Sequence, residues 1–179
     1  MGVGLSRFLG PHATRPLAPP DDRPQTRGVQ SLYFVGPWDL DARLACAPKD
    51  PADGPVLMIE SREKGHALPW HHKKLVLVLS AMRHFADELR ARGHHVEIRN
   101  ARTYVDGIAE AVRDHRPKRI VAMRPREIGI ARSLDAAARE GRLGADLVLH
   151  DDGGEGGHFL LARDEIRDWA AGRRSFRME

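Results

Sequence analysis

Residues Pro55 to Gly93, PVLMIESREKGHALPWHHKKLVLVLSAMRHFADELRARG, decide the fold. The run opens with Val56, Leu57, Met58 and Ile59 and stops at Glu60 and Ser61. Four consecutive apolar residues suit a strand covered on both faces in the middle of a parallel sheet. Glu60 then stands at the carboxyl end of that strand, the end where open α/β sheets hold their ligands. After a loop containing Gly65 and Pro69, apolar residues recur at Leu75, Val78, Leu79, Met82, Phe85, Ala86 and Leu89. That spacing draws one stripe along a long helix. Glu88 and Arg92 form an i,i+4 pair in the favourable order, and Gly93 supplies the stop.

The same alternation extends in both directions. Leu32 to Val35 reads as a first strand ending at Gly36, and Ala42 to Gly54 as a loop. His95 to Arg99 alternates polar and apolar, as an edge strand with one exposed face does. Thr103 and Asp106 have the spacing of a capping box, opening a helix with the stripe Val105, Ile108, Ala109 and Val112 that Pro117 closes. Ile120 to Met123 is a fourth strand, followed by a helix carrying Ile128, Ala131, Leu134, Ala137 and Ala138. Leu147 to Leu149 is a fifth strand, and Arg163 to Ala171 a short last helix with Ile166 and Trp169. The expectation is a doubly wound, five-stranded, mostly parallel α/β sheet with helices on both faces. The strand ends after Val35, Ile59 and Met123 should meet at its ligand side.

A chain of 179 residues with 41% hydrophobic and 30% charged residues is sized for one soluble domain with a full core. No apolar run approaches the length of a membrane span, and a cytoplasmic location is expected. The single cysteine, Cys46, leaves neither an internal disulfide nor a cysteine-cluster metal site. Residues 1 to 29 hold five prolines and no hydrophobic period, and read as a disordered extension. They also carry four arginines against two aspartates, half of the chain's +4. The remainder is too evenly charged for a nucleic-acid footprint, so DNA binding by this chain alone is not expected.

Several local patterns invite chemistry and are better read as structure. His66, His71 and His72 lie close together without the carboxylates or helical His pair of a metal site. Gly153 to Gly157 (GGEGG) lacks both the dinucleotide and the Walker spacing and reads as a flexible loop. Ser61 has no nucleophile-elbow context, so it reads as a strand-end hydroxyl serving nearby backbone. Glu60 is the residue that stands out. A carboxylate directly after four buried residues must be hydrated, paired with Arg62 or Lys64, or bound to a ligand.

Glu60, His71, Lys74, the helix motif Ser80-Ala81-Met82-Arg83-His84-Phe85-Ala86 and the terminal segment Trp169-Ala170-Ala171-Gly172-Arg173-Arg174-Ser175 with Arg177-Met178-Glu179 carry a family likeness. On these residues the chain, from about Ser31 to Glu179, resembles the N-terminal domain of the deoxyribodipyrimidine photolyase-related proteins, a branch of the cryptochrome/photolyase family. The resemblance implies a Rossmann-like domain over residues 30–179 that binds an antenna chromophore of the 6,7-dimethyl-8-ribityllumazine type. Its cofactor-binding candidates are Gly36, Glu60, Ser61, His71 and Glu127, with no catalytic and no metal-binding residue. Family members follow the first strand with a Gly-Asp-Gln-Leu type turn. Here Pro37 and Trp38 take the acid and amide positions, and Asp39 restores an acid after a one-residue shift. The family's FAD and iron–sulfur cluster belong to a C-terminal helical domain and are not expected in this chain. The expected partners are therefore the chromophore and a separately encoded catalytic photolyase domain. Two other readings are a stand-alone small-ligand or nucleotide-binding α/β module and a decayed photolyase remnant.

Overall fold

The computed structural model describes residues 29–66, 72–151, 153 and 156–173. The extension expected over residues 1 to 29 falls, except for Val29, outside the described residues. Five strands, Ser31–Phe34 (β1), Val56–Ser61 (β2), Val96–Ala101 (β3), Arg119–Met123 (β4) and Asp146–His150 (β5), form one sheet in the order β3-β2-β1-β4-β5. All four pairings are parallel, in register from Tyr33 opposite Val56 to Met123 opposite His150. The doubly wound α/β fold expected from the sequence is the fold observed.

Each strand's composition matches its place. Val56 to Ile59 are buried on both faces of β2, one strand in from the edge. β3 and β5 form the two edges, and β5 alternates exposed and half-covered residues as a strand with one wet face must. The described helices are Arg62–His66 (α1), His72–Ala91 (α2), Tyr104–His115 (α3), Ile128–Arg139 (α4) and Arg163–Ala170 (α5). α1 occupies chain that its sequence marks as a loop.

Two cores lie on opposite faces of the sheet. On one, Tyr104, Ile108 and Val112 of α3 and Ile130, Leu134 and Ala137 of α4 pack on Leu32, Phe34, Leu57 and Ile59. On the other, Met82, Phe85, Ala86 and Leu89 of α2 pack on Val56 and Met58, with Leu44 and Cys46 from the β1–β2 loop. Gly107 lets α3 lie against β2: a Cβ there would stand 2.8 Å from Ile59 Cδ1.

Three details depart from the sequence reading. In α4 the buried positions are Ile130, Leu134 and Ala137, while Ile128 is 66% exposed. The six-residue step from Ile128 to Leu134 carries it about 240° round the helix, onto the other face. In α2 the stripe is buried only from Met82 onward; Leu75, Val78 and Leu79 are half-buried, and Val76 and Leu77 are exposed. A helix of 20 residues runs about 30 Å, whereas a six-residue strand runs about 20 Å, so its amino half overhangs the sheet. The Thr103 cap forms half of the expected box. Thr103 Oγ1 accepts from Asp106 N at 3.0 Å, but the Asp106 carboxylate turns to Arg102 at 3.2 Å.

Helix ends follow the residues that close them. Gly93, at φ 90°, follows α2, and its N–H donates to Arg90 O at 2.9 Å. α3 ends through Arg116 at φ 49°, its N–H bonded to Val112 O, one residue before Pro117. No described helix is long and apolar enough to cross a membrane.

Candidate functional site

Parallel strands deliver their carboxyl ends to one edge of the sheet, and there β2 divides its last two residues between the faces. Glu60 turns toward α2, where Arg83 Nη2 lies 2.5 Å from Oε1. This is a charge contact outside hydrogen-bond alignment, with the Glu60 side chain mostly covered and Arg83 more than half exposed. The partner is Arg83 rather than Arg62 or Lys64, because the strand pleat points Glu60 away from α1. Arg62 instead donates to Asn100 Oδ1 at 3.3 Å.

Ser61 turns toward α3. Its hydroxyl donates to Arg102 O at 3.2 Å and accepts from Lys64 N at 3.3 Å, so it ties the end of β3 to the start of α1. Serving nearby backbone is the role its sequence context indicated. Glu63 N also donates to Arg102 O, at 3.0 Å. That short helix carries Lys64 across to Glu127, the residue before α4, with which it forms an ion pair.

These groups line one cleft of about 580 Å³ between α1 and the amino ends of α3 and α4. Its walls include Ser61, Lys64, Arg102, Tyr104, Glu127 and Ser133. Tyr104 is the first residue of α3 and is nearly buried. Burial, with Glu127's charge nearby, pushes its hydroxyl pKa up to about 12, so it stays protonated as a donor at neutral pH. Its ring meets Phe34 at 5.8 Å and the Trp38 ring edge-on at 6.0 Å, which closes the floor toward β1.

Trp38 reaches Tyr104 through the β1 turn. Asp39 N donates to Gly36 O at 3.0 Å, and the turn sends Trp38 and Asp39 to different partners. A Cβ on Gly36 would stand 2.7 Å from Asp39 Oδ2 and 3.2 Å from the indole ring, so glycine is what admits both. Asp39 is 4% exposed, and burial raises its pKa; a hydrogen bond from His158 Nε2 at 2.8 Å works against that shift. The acid after the shifted turn is therefore a buried, paired group.

Of the five sequence candidates, the structure brings Ser61 and Glu127 into one cleft, bridged by Lys64. Gly36 shapes the neighbouring turn, Glu60 faces α2 on the opposite side, and His71 lies outside the described residues. Gly154 and Glu155 of the GGEGG stretch likewise lie outside them. Among the described residues no three His, Cys, Asp or Glu side chains come together as a metal site. Sequence reasoning missed Tyr104 and His158. Tyr104 follows the capping Thr103 directly at a strand end, a signal that could have marked it. His158 is 119 residues from Asp39, and no local pattern links the two.

Comparison with known proteins adds to this geometry. The sequence model of the family described as "Deoxyribodipyrimidine photo-lyase-related protein" matches residues 37–179. A curated relative, the (6-4) photolyase of Agrobacterium fabrum (strain C58 / ATCC 33970), is 35% identical over 129 residues. That alignment covers 69% of this chain but 24% of the relative, so the chain matches about a quarter of that protein's length.

Proposed function

The chain belongs to the deoxyribodipyrimidine photo-lyase-related family, and from that premise we propose that residues 30–179 are its antenna-chromophore-binding α/β unit. The ligand is a 6,7-dimethyl-8-ribityllumazine-type chromophore seated in the cleft at the strand ends. The observation that carries this reading is the convergence of Ser61, Tyr104 and the Lys64–Glu127 pair on one cleft of about 580 Å³. That volume falls in the range of small-molecule sites, about 300–1,000 Å³.

The lining suits a flat ring with amide-like edges. Glu127 and Ser61 offer acceptor oxygens, the protonated Tyr104 hydroxyl offers a donor, and Ile130 and Leu134 offer apolar contact. The Lys64 ammonium pairs with the Glu127 carboxylate and holds it at the cleft edge. When bound, the chromophore absorbs near-ultraviolet to blue light and passes on the excitation energy. The chain's own residues bind it, orient it and exclude water.

These residues do not fit the family's other groups. An iron–sulfur cluster takes several cysteine thiolates, and the sequence has one cysteine. Cys46 is buried, and burial first, then Asp39's charge, pushes its thiol up to about 12. We therefore place flavin and cluster chemistry, and contact with DNA, outside residues 30–179, on a catalytic photolyase domain that works with this unit in the cytoplasm.

The test is a titration of the purified chain with 6,7-dimethyl-8-ribityllumazine and with riboflavin, followed by fluorescence. A light-driven repair assay on the same protein accompanies it. Saturable lumazine binding without repair is the expected result. Absence of binding to either compound would overturn the antenna reading, and light-dependent repair by the isolated chain would overturn the division of labour.

A further inference from the structure

The segment after β5 crosses back over the turn that follows β1, and its attachment is polar. Gly156 O accepts from Ala45 N at 2.9 Å, and His158 Nε2 meets Asp39 Oδ1 at 2.8 Å. Phe159 lies under the Arg126 guanidinium, 4.7 Å from ring centroid to Cζ, and bridges to Gly153. The apolar side chains of the segment do not hold it down: Phe159, Leu160 and Leu161 are 51%, 97% and 56% exposed. Beneath His158, Asp39 is 4% exposed; Cys46, 0% exposed, sits in the α2-face core next to Ala45, to which the segment is bonded. A carboxylate sealed at the strand ends under a lightly held strap is an arrangement that a packed loop would not need.

We propose that His158 and Asp39 form a latch that holds residues 156–161 as an opening strap across the β1 end of the sheet. Closed, as in this structure, the strap seals Asp39 and the adjoining Cys46 loop, and through Phe159 it also fixes Arg126 beside the cleft residue Glu127. Open, it exposes Asp39 at the junction of β1 and β4 and releases Arg126. The device works because the strap is held by a few contacts, of which His158–Asp39 is the side-chain hydrogen bond, and contributes little buried apolar surface of its own. Burial has already raised the Asp39 pKa, so its carboxylate gains hydration when the strap lifts. The latch is independent of which ligand the cleft takes.

Cys46, the only cysteine in the chain, adjoins Ala45, the strap's backbone anchor, and so reports release of that loop. The experiment measures its labelling by a neutral maleimide, together with amide hydrogen exchange, in the full chain and in His158→Ala, His158→Gln and Asp39→Asn. In His158→Ala, labelling of Cys46 should rise at least tenfold and exchange should increase at Ala45 and residues 156–161. Exchange at β3, on the far edge, and along α3, on the opposite face, should stay as in the wild type. His158→Gln keeps a donor toward Asp39 and should restore most of the protection, while Asp39→Asn should fall between. Unchanged labelling and exchange in His158→Ala would overturn the latch. A rise spread equally over β3 and α3 would overturn it too, since it would mark His158 as a general stabiliser. Protection in His158→Gln no better than in His158→Ala would do the same.

Discussion

The two faces of the sheet are built from the same strands and treat their polar residues differently. On the α3–α4 face the charged groups at the strand ends leave a cleft open between them. On the α2 face Glu60 is covered and charge-paired to Arg83, and Asp39 is sealed beneath His158. Glu60 and Ser61 are neighbours in sequence, and the strand pleat alone sends one to each face. An acid at a strand end is therefore no guide to a ligand until its face is known. The face left open is the one where Lys64 of α1 spans the gap to Glu127.

The largest expected effect tests whether the α2 face is a core at all along its length. Phe85→Ala should destabilise the chain by roughly 3–5 kcal/mol in a denaturant titration, whereas Leu77→Ala, on the overhanging half of the helix, should stay within about 0.5 kcal/mol. A loss for Phe85→Ala below about 1 kcal/mol would break the assignment of that face.

Next in size is the contrast between the two carboxylates in ligand binding. Glu127→Ala should weaken lumazine binding by about one to two orders of magnitude, the loss of one charge-assisted hydrogen bond of about 1.5–3 kcal/mol. Glu60→Ala should leave that affinity as it is and cost about 1 kcal/mol of stability or less, as a partly exposed ion pair does. Equal affinity losses in the two variants would show that the ligand reaches both faces.

The smallest effect is a difference in slope. Burial favours neutral Glu97, but hydrogen bonds from His115 and Arg99 outweigh it and hold the carboxyl below its ordinary 4.5. Its stabilisation is present above that value and is lost as the pH falls through the folded pKa. Asp39 has the opposite sign. Its folded pKa lies above the ordinary 3.8, so its contribution is present below 3.8 and is lost as the pH rises through the folded value. Between roughly pH 3 and 5, stability relative to wild type should therefore drift in opposite directions in Glu97→Gln and Asp39→Asn. Melting curves across that window test it, and parallel drifts would mean that one of the two environments has been misjudged.

Much of this was readable beforehand. The apolar run Val56 to Ile59, the stripe from Met82 to Leu89 and the stop at Gly93 follow from side-chain period and backbone preference, which act between near neighbours. The alternation at His95 to Arg99 marked an edge strand for the same reason. The motif from Ser80 to Ala86 carried the family likeness. Of the candidate residues, Ser61 and Glu127 line the cleft, while Gly36 and Glu60 lie outside it. Less was readable about what joins them, since Lys64 and Glu127 are 63 residues apart and no local pattern links the two.

By itself, then, the sequence determined the α/β class, the strand and helix faces nearest the core, and the family. Only the tertiary structure decided that Glu60 belongs to Arg83, that Lys64 belongs to Glu127, and that Asp39 lies sealed under His158. The physical reason is range. Periodicity and capping depend on residues within a few positions of one another. An ion pair depends on which strand ends the sheet order sets side by side, and residues as far apart as Asp39 and His158 meet only when β1, β4 and β5 have taken their places in that order.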